Sequence, residues 1–153
     1  MASEYLTGEE IKLVMEQVID RYLIPRFLDL GMEASGEWRS ALRGTELGVI
    51  RGRHYTVQLV NGRQPGTYTP IAPLQKWAMI KLGLDEKQAL GMAFAVSKIH
   101  KEEGSKYYRQ GGTTLIDILE SPEVAKFITS QFQFFIKEQV TLDIRRYLQQ
   151  QLN

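Results

Sequence analysis

The sequence predicts an α+β fold: a helix-rich single domain with a small antiparallel β-hairpin or sheet packed on a central buried helix. Three observations predict it. A capped amphipathic helix opens the chain, the apolar period shortens to two residues after Gly36, and the run Ala89 to Val96 is apolar on every side. At 153 residues the chain suits one domain, able to bury roughly 70% of its unfolded surface. Within a single domain spanning 1–153, the pattern divides into an N-terminal helix (7–30), a hairpin with central helices (36–112) and a C-terminal helical segment (121–153).

Thr7 and Glu10 have capping-box spacing, and Ile11, Val14, Met15, Val18 and Tyr22 follow on one helical face. Pro25 lacks an N–H and crowds the carbonyl of Arg21, which predicts a kink or stop, with helix resuming through Phe27 and Leu30 to Gly31. Trp38, Ser40 and Leu42 alternate with charged residues as in a half-buried strand. Gly44-Thr45 can turn the chain into a second short β segment, Leu47 to Ile50. His54 to Val60 suits either a short helix or a third strand.

Residues 61–70 read as a loop because Gly62, Pro65, Gly66 and Pro70 punctuate them. Helix is expected from Ile71 to Leu82, with Leu74, Trp77 and Ala78 on a core-directed face and Gly83 as its C-terminal stop. Asp85 caps the next helix and Gly104 ends it; its apolar middle predicts burial all round, with Gly91 allowing a second backbone close. Ser121 and Pro122 start the last helix. Beyond Glu138 the apolar spacing suits both strand and helix, and a continued or broken helix is expected.

Composition excludes several classes. Without Cys there is no disulfide scaffold, thiolate metal site or Cys nucleophile. A formal net charge of +1 lacks the basic excess of a general nucleic-acid binder. The opening Met1-Ala2-Ser3-Glu4 has no apolar core with a cleavage site, so no secretory signal is expected, and no apolar run approaches membrane-spanning length.

Catalytic groups are sparse. His54 and His100 are the two histidines; neither has a second His at metal-binding spacing, and the one carboxylate at i+3 or i+4, Glu103 after His100, makes no ligand set on its own. No GxSxG elbow and no phosphate-binding glycine loop occurs, and no cofactor or metal is expected. Arg39, Arg43, Arg51 and Arg53 lie in or beside the expected hairpin, and Lys98 and Lys101 precede Gly104. These charges suit solvated faces or phosphate contact. Tyr68, Tyr107 and Tyr108 fall in expected loops, where they either meet a partner or pack onto their own core.

One ordered set of motifs goes further. It runs Trp38-Arg39-Ser40-Ala41-Leu42, Tyr55, Gly62-Arg63-Gln64-Pro65-Gly66, Pro70-Ile71-Ala72-Pro73-Leu74 with Trp77, Lys81-Leu82-Gly83-Leu84, Ala93-Phe94-Ala95-Val96, Lys98-Ile99, Glu103-Gly104 and Tyr107-Tyr108. This order resembles the tail-completion and minor tail proteins of tailed bacteriophages, the lambda minor tail protein Z type, over roughly Gly36 to Gly112. The segment after Ile118 departs from it, leaving tail completion in a long-tailed phage and a neck or connector ring in a short-tailed one both open.

The resemblance implies a non-enzymatic virion subunit, assembled in a host cytoplasm. It would multiply into a six- or twelve-fold ring between portal or neck and tail, with packaged DNA as a possible neighbour in the lumen. Trp38, Arg51, Tyr55, Arg63, Tyr68, Tyr107 and Tyr108 are then the expected interface residues. Arg39, Arg43, Arg53, Lys98 and Lys101 are the residues expected to face DNA. The matched position of Arg63 suits tethering of its own loop. A nucleic-acid-binding module and a small His-dependent hydrolase are the alternative readings.

Overall fold

A computed structural model describes residues 5–152. The opening Met1-Ala2-Ser3-Glu4, on which the expectation of no secretory signal falls, and Asn153 lie outside the described residues. The fold is α+β and helix-rich, 69% helical, with a small two-stranded antiparallel sheet. The chain forms two compact units. One gathers the chain up to Arg26, Leu42–Gly52 and the chain from Asp117 onward; the other gathers Phe27–Ala41 and Arg53–Ile116.

In the first unit, α1 (Gly8–Val18) begins at the expected capping box. The Thr7 N–H donates to Glu10 Oε2 at 2.8 Å, and the Glu10 N–H donates to Thr7 Oγ1 at 3.2 Å. Val14, Met15 and Val18 are buried, and Ile19 and Leu23 continue the stripe. Pro25 neither stops nor sharply breaks the helix. The chain widens into a π turn over Ile19–Leu23, where the Ile24 N–H reaches back to the Ile19 carbonyl. It then continues as α2 (Ile24–Asp29), with Pro25 in the first turn. A widened turn accommodates a proline ring that an α turn would clash with.

The hairpin is shorter and later than its sequence pattern suggests. Strand β1 (Arg43–Gly44) pairs with β2 (Ile50–Arg51), Arg43 opposite Arg51 and Gly44 opposite Ile50. The turn lies beyond Gly44: the Thr45 N–H donates to the Val49 carbonyl at 2.9 Å, and Leu47 is 85% exposed. The hairpin rests on α1. The Gly44 N–H donates to Glu16 Oε1 at 2.7 Å, and a Cβ on Gly44 would stand 2.7 Å from that of Met15. Only glycine permits that approach.

After a 3₁₀ turn (Asp117–Glu120), helix α8 (Pro122–Leu152) runs unbroken for 31 residues. At 1.5 Å per residue it is about 46 Å long. Ser121 caps it, its Oγ accepting from the Val124 N–H at 3.3 Å. Val124 is buried, and the Phe127 ring meets Tyr22 edge-on at 5.5 Å, with the Arg21 guanidinium 4.9 Å from its centroid. Every described residue from Thr141 onward is exposed.

In the second unit, Gly31 ends α2 with φ 68°, its N–H bonded to the Leu28 carbonyl and that of Met32 to the Phe27 carbonyl. This is the paired 5→2 and 6→1 closure of a helix C-terminus. Residues 37–41 form helix α3 (Glu37–Ala41), not the expected strand. The apolar positions that suggested alternation, Trp38 and Leu42, are also spaced i, i+4, and tertiary burial of Trp38 selects the helix. The Trp38 ring stacks on Phe27 with centroids 4.4 Å apart, and its Nε1 donates to Thr56 Oγ1 at 2.8 Å. His54 to Val60 resolves as a short helix, α4 (Thr56–Asn61).

Helices α5 (Ile71–Leu82) and α6 (Glu86–Glu103) form an antiparallel pair joined at Gly83, whose φ is 65°. Asp85 and Gln88 make a second capping box at the start of α6. Contrary to expectation, α6 is not buried all round. Ala89, Ala93 and Ser97 are buried on one narrow face, while Leu90, Met92 and Phe94 are 39%, 38% and 59% exposed. Gly91 lies on the open side, with no atom within 4 Å of a built Cβ, so no second backbone approaches it. Trp77 is half-buried instead of belonging to the core, and Ala78 is the buried residue of α5. Small side chains form the seam of this pair and the large ones face outward.

Candidate functional site

The loop after α4 is fixed to the end of α6 by hydrogen bonds that its sequence position alone does not reveal. The Arg63 N–H donates to Ser105 Oγ at 2.8 Å, and the Ser105 N–H donates back to the Arg63 carbonyl at 2.9 Å. The Gly66 N–H donates to the Lys101 carbonyl at 2.8 Å. Arg63 Nη2 donates to Thr67 Oγ1 at 3.1 Å and to the Tyr68 carbonyl at 3.0 Å, so the guanidinium spans its own loop. Gly62 is buried with φ 78°, and a Cβ there would overlap the backbone of Tyr107 and Tyr108. Glycine is required by both conformation and space.

Tyr107 and Tyr108 lie in a short helix, α7 (Lys106–Arg109), not in a loop. Ser105 caps it, accepting from the Tyr108 N–H at 3.3 Å while also accepting from Arg63. Tyr68 does lie in the loop and is 59% exposed, with Lys101 Nζ 4.3 Å above its ring. Beyond α7, Thr113 donates its N–H to the Val60 carbonyl and its hydroxyl to the Leu59 carbonyl, each at 2.7 Å. Both ends of the motif are thereby tied to α4.

Beside this lock lies a cavity of about 540 Å³. One wall is the face of α5 carrying Pro73, Leu74, Trp77 and Ile80; Arg63, Thr69, His100, Ser105 and Tyr107 line its polar part. Both histidines border it, with His54 exposed and edge-on to Tyr55 at 5.8 Å. The His100 Nδ1 and Thr69 Oγ1 are 2.7 Å apart, and Ser97 Oγ donates to the Thr69 carbonyl at 2.6 Å. Burial lowers the proton affinity of His100, and the charges of Arg63 and Arg109 lower it further. Burial raises the Tyr107 pKa; at Tyr55 burial and then the Glu37 charge act the same way against Arg53. Glu37 also borders the cavity, and a 2.7 Å bond from Lys76 Nζ holds its carboxyl below the usual range.

The Thr69–His100 pair has the spacing of a nucleophile and its base, but its surroundings weaken the base. A general base works best with a pKa near the working pH and with a carboxylate orienting its second nitrogen. Here the neighbouring charges are cationic, and Glu37 is held by Lys76. Among the described residues, no group of three or more His, Asp or Glu side chains is placed to hold a metal ion, and no helix is long and apolar enough to cross a membrane.

The structure brings Tyr55, Arg63 and Tyr107 to one cavity, leaves Tyr68 and Tyr108 exposed nearby, and leaves Arg51 exposed in the hairpin of the first unit. Trp38, expected at an interface, is 4% exposed and holds its own unit together. The basic residues expected to face DNA are divided between the two units. Arg43 belongs to the first unit, whereas Arg39, Arg53, Lys98 and Lys101 belong to the second. Arg39 is paired with Glu33 at 3.3 Å. Ser105, Thr69 and the Glu37–Lys76 pair carry no sequence signal of their own; their partners lie 42, 31 and 39 residues away. Comparison with family models, with curated proteins and with solved structures returned no significant match.

Proposed function

We propose that this chain is a structural subunit of a tailed-phage virion, a head–tail connector, neck or tail-completion protein that acts as one copy in a ring. The observation that carries the reading is the lock around residues 62–70. The motif residues that resemble the phage family are the ones held together in three dimensions: Gly62 against Tyr107 and Tyr108, Arg63 on Ser105, and Gly66 on Lys101. A pre-ordered loop loses little entropy on docking, which suits a contact repeated around a ring. Exposed apolar residues support the same reading. Leu142, Ile144, Tyr147, Leu148 and Leu152 of α8 are 45%, 55%, 61%, 53% and 85% exposed, and an apolar stretch of that kind marks a protein contact. Ring formation needs unlike contact surfaces on one subunit, and the apolar α8 end and the polar motif loop differ in chemistry as such a pair would.

Native mass spectrometry and electron microscopy of the protein, alone and mixed with portal and tail proteins of a tailed phage, test the proposal. A closed ring, or incorporation into particles, supports it; absence from purified virions overturns it. A second reading, contact with nucleic acid, is favoured by one observation. Arg43 and Arg51 stand directly opposite each other across the hairpin, which places two exposed basic residues at one register position. Filter binding over a salt series tests it, a steep loss of affinity with salt being the expected signature.

A further inference from the structure

The cavity beside the motif loop has a charge that the protein does not neutralise. Arg63 has no carboxylate partner among the described residues: its Nη2 is bonded to a neutral hydroxyl and a neutral carbonyl, and its Nε is buried with no hydrogen-bond partner in the protein. The one carboxylate lining the cavity, Glu37, is engaged by Lys76. A partly buried cation without a counter-charge is costly, and an anion delivered to the cavity removes that cost. His100 and the neutral phenol of Tyr107 line the same polar part and can add hydrogen bonds to an incoming oxygen.

The rest of the lining sets the shape of the occupant. Leu74, Trp77 and Ile80 present one apolar face of α5 to the cavity. A volume of about 540 Å³ is in the range of small-molecule sites, which combine apolar walls with a few convergent polar groups. A single guanidinium beside a neutral imidazole matches a singly charged carboxylate better than a doubly charged phosphate.

We infer that this cavity binds a small monocarboxylic acid with an aryl or branched-alkyl body, its carboxylate toward Arg63 and its apolar part against Leu74, Trp77 and Ile80. The site is independent of the assembly reading, since it lies wholly within one unit.

The test uses the full chain with 3-phenylpropanoate as the probe and 3-phenylpropan-1-ol as its uncharged counterpart. Two-dimensional NMR follows the Trp77 indole and His100 ring signals. The expected result is a saturable shift at both, with the alcohol binding at least about tenfold more weakly. Ile80→Glu, at a residue 47% exposed where folding tolerates a charge, places a second anion in the cavity and abolishes acid binding. Arg63→Gln also abolishes it where the variant folds. No saturable shift up to ~10 mM, a weaker limit than any specific site requires, overturns the inference. Equal binding of acid and alcohol, or shifts unchanged in Ile80→Glu, overturns it as well. Should the Trp77 and His100 signals respond only to increasing protein concentration, the occupant is another copy of the chain and the small-acid site is rejected.

Discussion

Arg63 and Ser105 exchange hydrogen bonds across 42 residues, the Arg63 N–H donating to Ser105 Oγ at 2.8 Å and the Ser105 N–H returning to the Arg63 carbonyl at 2.9 Å. This one serine joins two elements, because its hydroxyl oxygen also accepts from the Tyr108 N–H and caps α7. Ser105→Ala removes this shared acceptor and leaves two backbone donors, the N–H groups of Arg63 and Tyr108, unmet. The expected loss is about 1–2 kcal/mol in urea unfolding. A change within experimental error would mean that water replaces the hydroxyl at no cost.

Two glycines with positive φ separate conformation from space. Gly62→Ala meets the Tyr107–Tyr108 backbone, whereas at Gly83, with φ 65°, a built Cβ meets nothing within 4 Å. Gly83→Ala is expected to cost about 1 kcal/mol, and Gly62→Ala to cost at least about 3 kcal/mol or to prevent folding. Equal losses at the two positions, read from the same denaturation curves, would contradict the tight approach of α7 to Gly62.

Stability should fall as pH drops below about 6.5, because His100 is held below its ordinary value of 6.5 by burial and by Arg63 and Arg109. Below 6.5 the unfolded chain takes up a proton at this ring more readily than the folded one. The loss therefore begins there, grows through the depressed folded pKa, and levels off beneath it. His100→Gln should flatten that part of a plot of urea midpoint against pH. Glu37, held below 4.5 by Lys76, adds its own decline only below about that pH, so the two windows are separable.

Substitutions near the end of α8 should affect association and spare the fold. Tyr147→Glu and Leu148→Glu change residues that are 61% and 53% exposed. Unfolding free energy is expected to stay within about 0.5 kcal/mol of the parent. Particle incorporation or ring formation should drop at least about tenfold. Assembly that proceeds unchanged would remove the α8 end from the contact surface.

The fold was legible where local chemistry decides. Thr7–Glu10, Asp85 and Ser121 marked helix starts at the correct residues, since a cap is satisfied by neighbours three positions away. The misread segments were those decided by tertiary contact. Trp38 alternates with charged residues as a strand would, yet the rings and hydroxyl that place it, Phe27 and Thr56, lie 11 and 18 residues away. In α6 the apolar run suggested burial on all sides because composition does not reveal which face a neighbour covers; alanines and a serine took the inside. At the candidate site, Arg63 was visible as a loop residue that tethers, and its bonds to Thr67 and Tyr68 are of that local kind. The cavity was not visible, because α5, the loop and α6 each supply only part of its wall.

The alanine and serine seam of α6 divides labour along a single helix. Ala89, Ala93 and Ser97 fix how closely it lies on α5, and Leu90, Met92 and Phe94 take no part in that closeness. Mutational drift on the outer row can therefore change the exposed surface while the hairpin of helices keeps its geometry. Three side chains of this helix are thus free to vary at the surface, with the scaffold passing unaltered from one generation to the next.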